Sequence, residues 1–330
     1  MNFQGLGKIE KPDFYIDVAF RKANKRAGAV RSKIQGKKLN RMKKSRIIEL
    51  DKIATVKQSI THQMDTILDS YPQTAHLNPF YLELIKATLD YYMLKKSLGA
   101  LNWVKKQINI LFKQYNEKIK KSQSLEAVNK YRNEFYGRTV SVLKQVKKNL
   151  EYLEHARKVM KNYPSIKTGM PTIVIAGYPN VGKSTLLKAL TGAKPKIASY
   201  PFTTKNIMLG YINKKIQLID TPGLLDRPIE KRNNIEKQAI LALKHLAEKM
   251  IFVLDPSETC GYTIKEQTKL MNEMKKKLRI ETIVVLNKTD LASEEQMKKV
   301  SKLKAMPISA EKEKGIKELK EKIITLSSEK

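Results

Sequence analysis

From residue 47 to about residue 162, apolar positions recur at intervals of three and four. Leu82, Ile85, Leu89 and Met93 form one stripe, and Val140, Leu143, Val146, Leu150, Leu153, Ala156 and Met160 form a longer one. This is the spacing of one face of an amphipathic helix. Asn78-Pro79 supplies an N-cap followed by a first-turn proline. Tyr71-Pro72 and Tyr163-Pro164 read as stops, because the residue before proline avoids the α region. A bundle of about four helices follows, and the stripes read as its core rather than as a cofactor pocket, since bundle helices must bury an apolar face.

After residues 164–171 the pattern changes to short β-branched runs at 172–176, 215–219, 250–254 and 282–286, alternating with helical segments. Such βα alternation predicts a parallel sheet covered by helices on both faces. The chain of 330 residues has room for two domains, and with 41% hydrophobic and 29% charged residues it has the composition of a globular protein. The expected organisation is a basic N-terminal arm over 1–46, an all-α helical-bundle domain over 47–167, and over 168–330 an α/β domain with a mainly parallel sheet.

The chemistry sits in the second half. The strand at 172–176 runs into Gly177-Tyr178-Pro179-Asn180-Val181-Gly182-Lys183-Ser184-Thr185 and then a helical run with Gly192 just beyond. Strand, glycine loop and helix in that order make a phosphate-binding loop: Gly177 and Gly182 allow the tight fold that aims N–H groups and a helix N-terminus at phosphates. Lys183 is expected to reach the β and γ phosphates, and the Ser184 hydroxyl to ligate Mg²⁺. Asp220-Thr221-Pro222-Gly223 closes the strand at 215–219. There Asp220 can hold Mg²⁺ and the Gly223 N–H can meet the γ phosphate.

The run 282–286 ends in Asn287-Lys288-Thr289-Asp290. The Asp290 carboxylate can accept from guanine N1–H and from its exocyclic amine, a donor pair that adenine lacks, and a site built this way can reject the wrong base by about 10⁴. Asn287 and Lys288 would brace the loop and cover the base, and Ser309-Ala310 could offer an N–H to guanine O6. Between the first two motifs, Thr204, with Thr203 as the alternative, is placed to sense the γ phosphate by ligating Mg²⁺. Lys183, Thr204 and Gly223 are thus the groups expected to act on the transferred phosphoryl group in hydrolysis of GTP to GDP. Where many small GTPases carry a water-orienting glutamine, this chain has Leu224. Slow turnover is therefore expected, with activation by a partner or ion.

Charge then changes the picture of the first half. The formal net charge is +33, and residues 21–46 contain twelve Lys or Arg and no acid. RNA phosphate is the natural counter-charge for such a run. An anionic membrane surface and a merely solvated face are the alternatives. Interleaved aromatics are nearly absent there, which favours phosphate contact over base stacking, and Gly28 and Gly36 suggest a segment that orders on contact with its partner. Cys260 is the sole cysteine, so no internal disulfide forms, and no apolar run approaches a membrane span or a signal peptide. A cytoplasmic monomer that does not engage a membrane is expected.

The phosphate loop, Pro201-Phe202-Thr203-Thr204-Lys205, Asp220-Thr221-Pro222-Gly223-Leu224-Leu225-Asp226-Arg227-Pro228 and the following Arg232-Asn233-Asn234-Ile235-Glu236-Lys237-Gln238-Ala239 together resemble the nucleolar GTP-binding protein family, related to the Obg GTPases. In the first half, Asn78-Pro79-Phe80-Tyr81-Leu82-Glu83-Leu84 and Leu150-Glu151-Tyr152-Leu153-Glu154 are similar to that family's helical domain. The resemblance implies a GTPase that joins precursors of the large ribosomal subunit and acts through rRNA, in a short archaeal-type form. Two alternatives stay open beside it: a structural rRNA-binding factor with nucleotide as a fold stabiliser, and a GTPase acting on tRNA or translation. Asn180 resembles the asparagine with which some related GTPases hold K⁺ beside the phosphates. The competing reading is that it only stabilises the loop.

Overall fold

A computed structural model of the chain describes residues 3–73, 76–192, 195–198, 206–223, 225–228 and 234–328. They fall into two compact units. One joins Gln4–Gln73 to Leu89–Lys161; the other joins Phe3, the segment ending at Thr88, and the chain from Asn162 onward.

The first unit is helical: α1 (Pro12–Ile34) and α2 (Arg41–Ser70) belong to it, α3 (Pro79–Thr88) does not, and α4 (Tyr91–Lys121), α5 (Leu125–Gln145) and α6 (Lys147–Lys161) complete it. Caps set the starts. Asn40, Asp90 and Ser124 accept from the N–H groups of Lys43, Met93 and Ala127 at 2.8, 2.9 and 3.1 Å, satisfying donors that have no partner inside the helix. The core is built from Ile53, Val56 and Ile60 of α2, Leu101, Val104 and Ile108 of α4, and Phe135 and Leu143 of α5, all fully buried.

Three sequence expectations are corrected in the helical region. Residues 12–34 form α1, which packs on α2, rather than an arm awaiting a partner. Ala19, Ala23 and Ala27 are buried with Val30 and Ile34, while Arg21, Lys22, Lys25, Arg26, Arg31 and Lys33 all point outward. An alanine face allows close helix approach yet adds little hydropathy to the pattern. The stripe from Val140 to Met160 breaks at Val146, whose backbone (φ −94°, ψ 13°) leaves the α region between α5 and α6. The stripe from Leu82 to Met93 likewise spans two helices, separated at Asp90 and lying in different units.

Glu154 ties the start of the chain to α6. Its carboxylate accepts the Ile9 N–H at 3.0 Å and both arms of the Arg157 guanidinium at 2.7 Å. The Arg157 bonds hold the carboxyl below its ordinary 4.5, against the opposing effect of burial. A depressed folded-state value means that the stabilisation is present above 4.5 and is lost as pH falls through the folded value. Glu154→Gln should therefore lower the urea midpoint at pH 7, and the gap to wild type should narrow once pH drops below about 4.5.

The second unit is an α/β sheet of seven strands in the order β2-β3-β4-β1-β5-β6-β7. The strands are β1 (Thr172–Ala176), β2 (Lys196–Ala198), β3 (Ile207–Ile212), β4 (Ile216–Asp220), β5 (Lys249–Leu254), β6 (Glu281–Leu286) and β7 (Met306–Pro307). β1 pairs in parallel with β4 and β5, and β6 and β7 continue in parallel. At the other edge β2 pairs with β3 and β3 with β4 in antiparallel, so the sheet is mainly parallel, as expected. Every residue of β1 and β4 is buried, as covered central strands must be. α7 (Lys183–Thr191), α8 (Asn234–Lys244), α9 (Ile264–Leu278), α10 (Glu294–Val300) and α11 (Ile316–Ser328) complete the unit, with α3 packed on α8. α3 starts where Asn78 Oδ1 accepts the Phe80 N–H at 2.9 Å. The Tyr81 hydroxyl donates to the carbonyl of Pro164 at 2.8 Å and accepts from Ile166 N–H at 3.0 Å.

Candidate functional site

β1 lies where the chain passes from one side of the sheet to the other, and ligands of open α/β sheets bind beyond the C-terminal strand ends at such a switch point. The loop 177–182 stands there, between β1 and α7. Both glycines are required. Gly177 has φ +140° and a Cβ on it would lie 2.5 Å from the Val253 carbonyl oxygen; Gly182 has φ +96° and a Cβ there would lie 2.2 Å from Asn287 Nδ2. Asn180 is exposed at φ +62°, a left-handed conformation that asparagine tolerates better than most residues. That gives asparagine a backbone reason at this position.

The Lys183 ammonium is buried inside the loop and donates to the carbonyls of Gly177 at 2.9 Å and Tyr178 at 2.7 Å. Tyr178 contributes that carbonyl, while its ring stacks on Tyr262 with centroids 4.0 Å apart. Val181 is buried and its carbonyl accepts from Asn287. Pro179, Asn180, Ser184, Thr185, Pro222 and Asp226 line the groove over the loop.

On the opposite wall Ser184 Oγ donates to Asp220 Oδ2 at 2.7 Å. Asp220 is fully buried. Burial pushes its carboxyl up, opposed by the Ser184 bond and the Lys183 charge. Its Oδ1 and the Thr221 hydroxyl are buried without a hydrogen-bond partner among the described residues. A buried carboxylate oxygen left open beside a serine hydroxyl suits Mg²⁺, which takes one or two protein oxygens and completes its octahedron with phosphate and water. Among the described residues no group of three or more His, Cys, Asp or Glu side chains could hold a metal alone. Ser184 and Asp220 are therefore the residues that would hold Mg²⁺, which when bound would neutralise charge on the terminal phosphates.

The Gly223 N–H, at φ +82°, donates to Asp226 Oδ2 at 2.7 Å. The sequence reading assigned this N–H to the γ phosphate and passed over Asp226, whose signal was only a second acid three positions on. Thr203, Thr204 and Leu224 lie outside the described residues.

The base-side motif meets the phosphate loop through Asn287. Its side chain, 2% exposed, donates to the Val181 carbonyl at 2.9 Å and accepts the Ala310 N–H at 2.9 Å. Asp290 carries the ion pair to Lys312 at 3.2 Å, and a bond from Ser309, then Lys312, holds its carboxyl below the usual range. Ser309 and Ala310 are both buried, and their N–H groups serve the Lys314 carbonyl and Asn287. In this structure the pair braces the loop; an N–H for guanine O6 from it requires an exchange of acceptors.

A phosphate cradle at the sheet's switch point, joined through one asparagine to an Asn-Lys-x-Asp loop and preceded by a helical unit, defines a P-loop GTPase domain with an N-terminal helical domain. Residues 3–167 match the family model described as the NOG1 N-terminal helical domain, and residues 172–288 match that of the 50S ribosome-binding GTPase. The chain belongs to the nucleolar GTP-binding protein family.

An uncharacterised protein of Methanocaldococcus jannaschii is 42% identical over 296 residues, covering 90% of this chain and 83% of that one. Nucleolar GTP-binding protein 1 of Encephalitozoon cuniculi is 35% identical over 84% of this chain, and that of Arabidopsis thaliana 33% over 92%. The chain spans only 54% and 46% of those two proteins. Among solved structures, one assigned to nucleolar GTP-binding protein 1 of Plasmodium falciparum aligns at 33% identity and a TM-score of 0.43, over 50% of this chain and 90% of that one.

Proposed function

We propose that this protein binds Mg²⁺·GTP, hydrolyses it to GDP and phosphate, and uses the cycle as a switch on precursors of the large ribosomal subunit, which it contacts through rRNA. The observation that carries the nucleotide reading is the Asn287 bridge, because it joins the phosphate cradle, through Val181, to Ala310 and to the loop that goes on to Asp290. Lys183 would stabilise charge on the β and γ phosphates. The Gly223 N–H would pass from the Asp226 carboxylate to the terminal phosphate, making the loop after β4 responsive to the nucleotide. With Leu224 in place of a glutamine, turnover is slow until a partner or an ion supplies the missing positioning.

The RNA reading is supported by the outward row of cations on α1, continued by the exposed Lys37 and Lys38, and by the description of the matched GTPase family as 50S ribosome-binding. Phosphate contacts of this kind release counterions and weaken steeply with salt. No helix among the described residues is long and apolar enough to cross a membrane.

The test has two arms. Purified protein should bind guanosine nucleotides, reject adenosine nucleotides and hydrolyse GTP slowly, with rates compared in K⁺ and Na⁺ at matched ionic strength to decide the role of Asn180. It should also sediment with large-subunit precursors in a salt- and nucleotide-dependent way. Equal binding of ATP defeats the nucleotide reading. Sedimentation only with mature ribosomes or tRNA defeats the assembly reading.

A further inference from the structure

Beyond the motifs, a buried and fully hydrogen-bonded charge of the α/β unit is Asp255, directly after β5. The side chain is fully buried. Its Oδ1 accepts the Ser257 N–H at 3.0 Å and the Ser257 hydroxyl. Its Oδ2 accepts from the Thr259 hydroxyl at 3.0 Å, the Cys260 N–H at 3.0 Å and the Lys288 ammonium at 2.9 Å. Lys288 also donates to the Thr259 hydroxyl at 2.9 Å. Both carboxylate oxygens are therefore fully engaged. Gln267 of α9, 1% exposed, receives the Asp255 N–H at 2.7 Å and donates to the Asp255 carbonyl at 3.0 Å and the Tyr262 carbonyl at 2.8 Å. Tyr262 in turn stacks on Tyr178 of the phosphate loop.

Lys288 has a left-handed backbone (φ +59°), and its side chain lines the nucleotide groove. A lysine free in solution samples many rotamers, and fixing it on ligand binding costs affinity. Here the ammonium is already anchored at the far end, so its aliphatic stem is laid along the groove before any nucleotide arrives. Burial alone would push the Asp255 carboxyl up, but the bonds from Ser257 and Lys288 outweigh it and hold it low. The anchor is thus a charge.

We infer that Asp255 is a positioning residue for guanine-nucleotide binding, holding Lys288 across the base side of the groove through the Asp255–Lys288–Thr259 contacts. The inference rests on the nucleotide reading above and adds to it a residue remote from the recognised motifs. Asp255→Asn keeps the side-chain shape and, with its amide oxygen toward Ser257, an acceptor for that N–H, while an amide nitrogen replaces the oxygen that receives Cys260 N–H and Lys288 and the charge that fixes Lys288 is removed.

The experiment is a double-mutant cycle on the full chain, read as the Kd of fluorescent GDP and of a non-hydrolysable GTP analogue, with the thermal midpoint taken at each corner. Asp255→Asn and Lys288→Ala should each weaken both nucleotides about tenfold and alike, and the double variant should be no weaker than either single one, the coupling expected of groups in contact. Thr259→Val, which removes one shared hydroxyl, should weaken both about threefold and serves where Asp255→Asn does not fold. Additive losses in the cycle, or unchanged Kd in Asp255→Asn or Thr259→Val with an intact midpoint, overturn the inference while leaving guanine binding in place. A wild-type chain that binds neither nucleotide overturns the underlying reading instead.

Discussion

Replacing Asp290 by asparagine moves the site's preference from guanine to xanthine nucleotides. The carboxylate presents two acceptors, suited to the N1–H and exocyclic amine of guanine. An amide presents one acceptor and one donor, which suits the N1–H and C2 carbonyl of xanthine. Each hydrogen bond to a charged group contributes about 1.5–3 kcal/mol, so losing that complementarity should weaken GTP by roughly 10³-fold, with a reciprocal gain for XTP. The ion pair with Lys312 at 3.2 Å and the bond from Ser309 hold the wild-type carboxylate in its charged form. Competition of GTP, XTP and ATP against a fluorescent nucleotide reads the outcome. Unchanged GTP affinity in the variant would show that Asp290 does not read the base.

Gly182→Ala should abolish nucleotide binding at micromolar concentrations while leaving the protein folded. The new methyl would lie 2.2 Å from Asn287 Nδ2 in a backbone at φ +96°. Asn287 cannot yield: it is 2% exposed and held at both ends of its amide, by the Val181 carbonyl and the Ala310 N–H. Relief comes either from opening the phosphate loop or from breaking the bridge to the base loop. Strain of about 1–3 kcal/mol in the backbone and the loss of two hydrogen bonds of about 1 kcal/mol each together predict an affinity loss on the order of 10²–10³ or more. Circular dichroism and the thermal midpoint separate loss of binding from loss of fold, since the glycine packs at the site and not in the sheet core.

Much of the α/β unit was readable because its signals are contiguous. β1 was placed over its full span, β5 and β6 to within one residue at the start, and β4 one residue early at both ends, because buried central strands are short, largely apolar runs. The phosphate loop is local too, since nine successive residues carry the geometry that phosphates need. The helical unit was less readable. α1 buries alanines beneath a screen of arginine and lysine, so net charge concealed a packed face. The turn at Val146 interrupts a stripe whose apolar spacing continues across it, and periodicity does not register a change of axis. α3 looks like one more bundle helix, yet it packs on α8 in the other unit.

By itself, then, the order of residues determined which segments could become strands and where a glycine loop would stand between strand and helix, because both depend on neighbours only a few positions away. Tertiary structure alone decided that Val181, Asn287 and Ala310 meet through one amide, that Asp255 anchors Lys288, and that Asp226 sits on the Gly223 N–H. The first two contacts join residues from 23 to 106 positions apart, and the third turns on how one loop bends. Buried polar groups take whichever partners the packed sheet brings within 3 Å, and no local pattern records that choice.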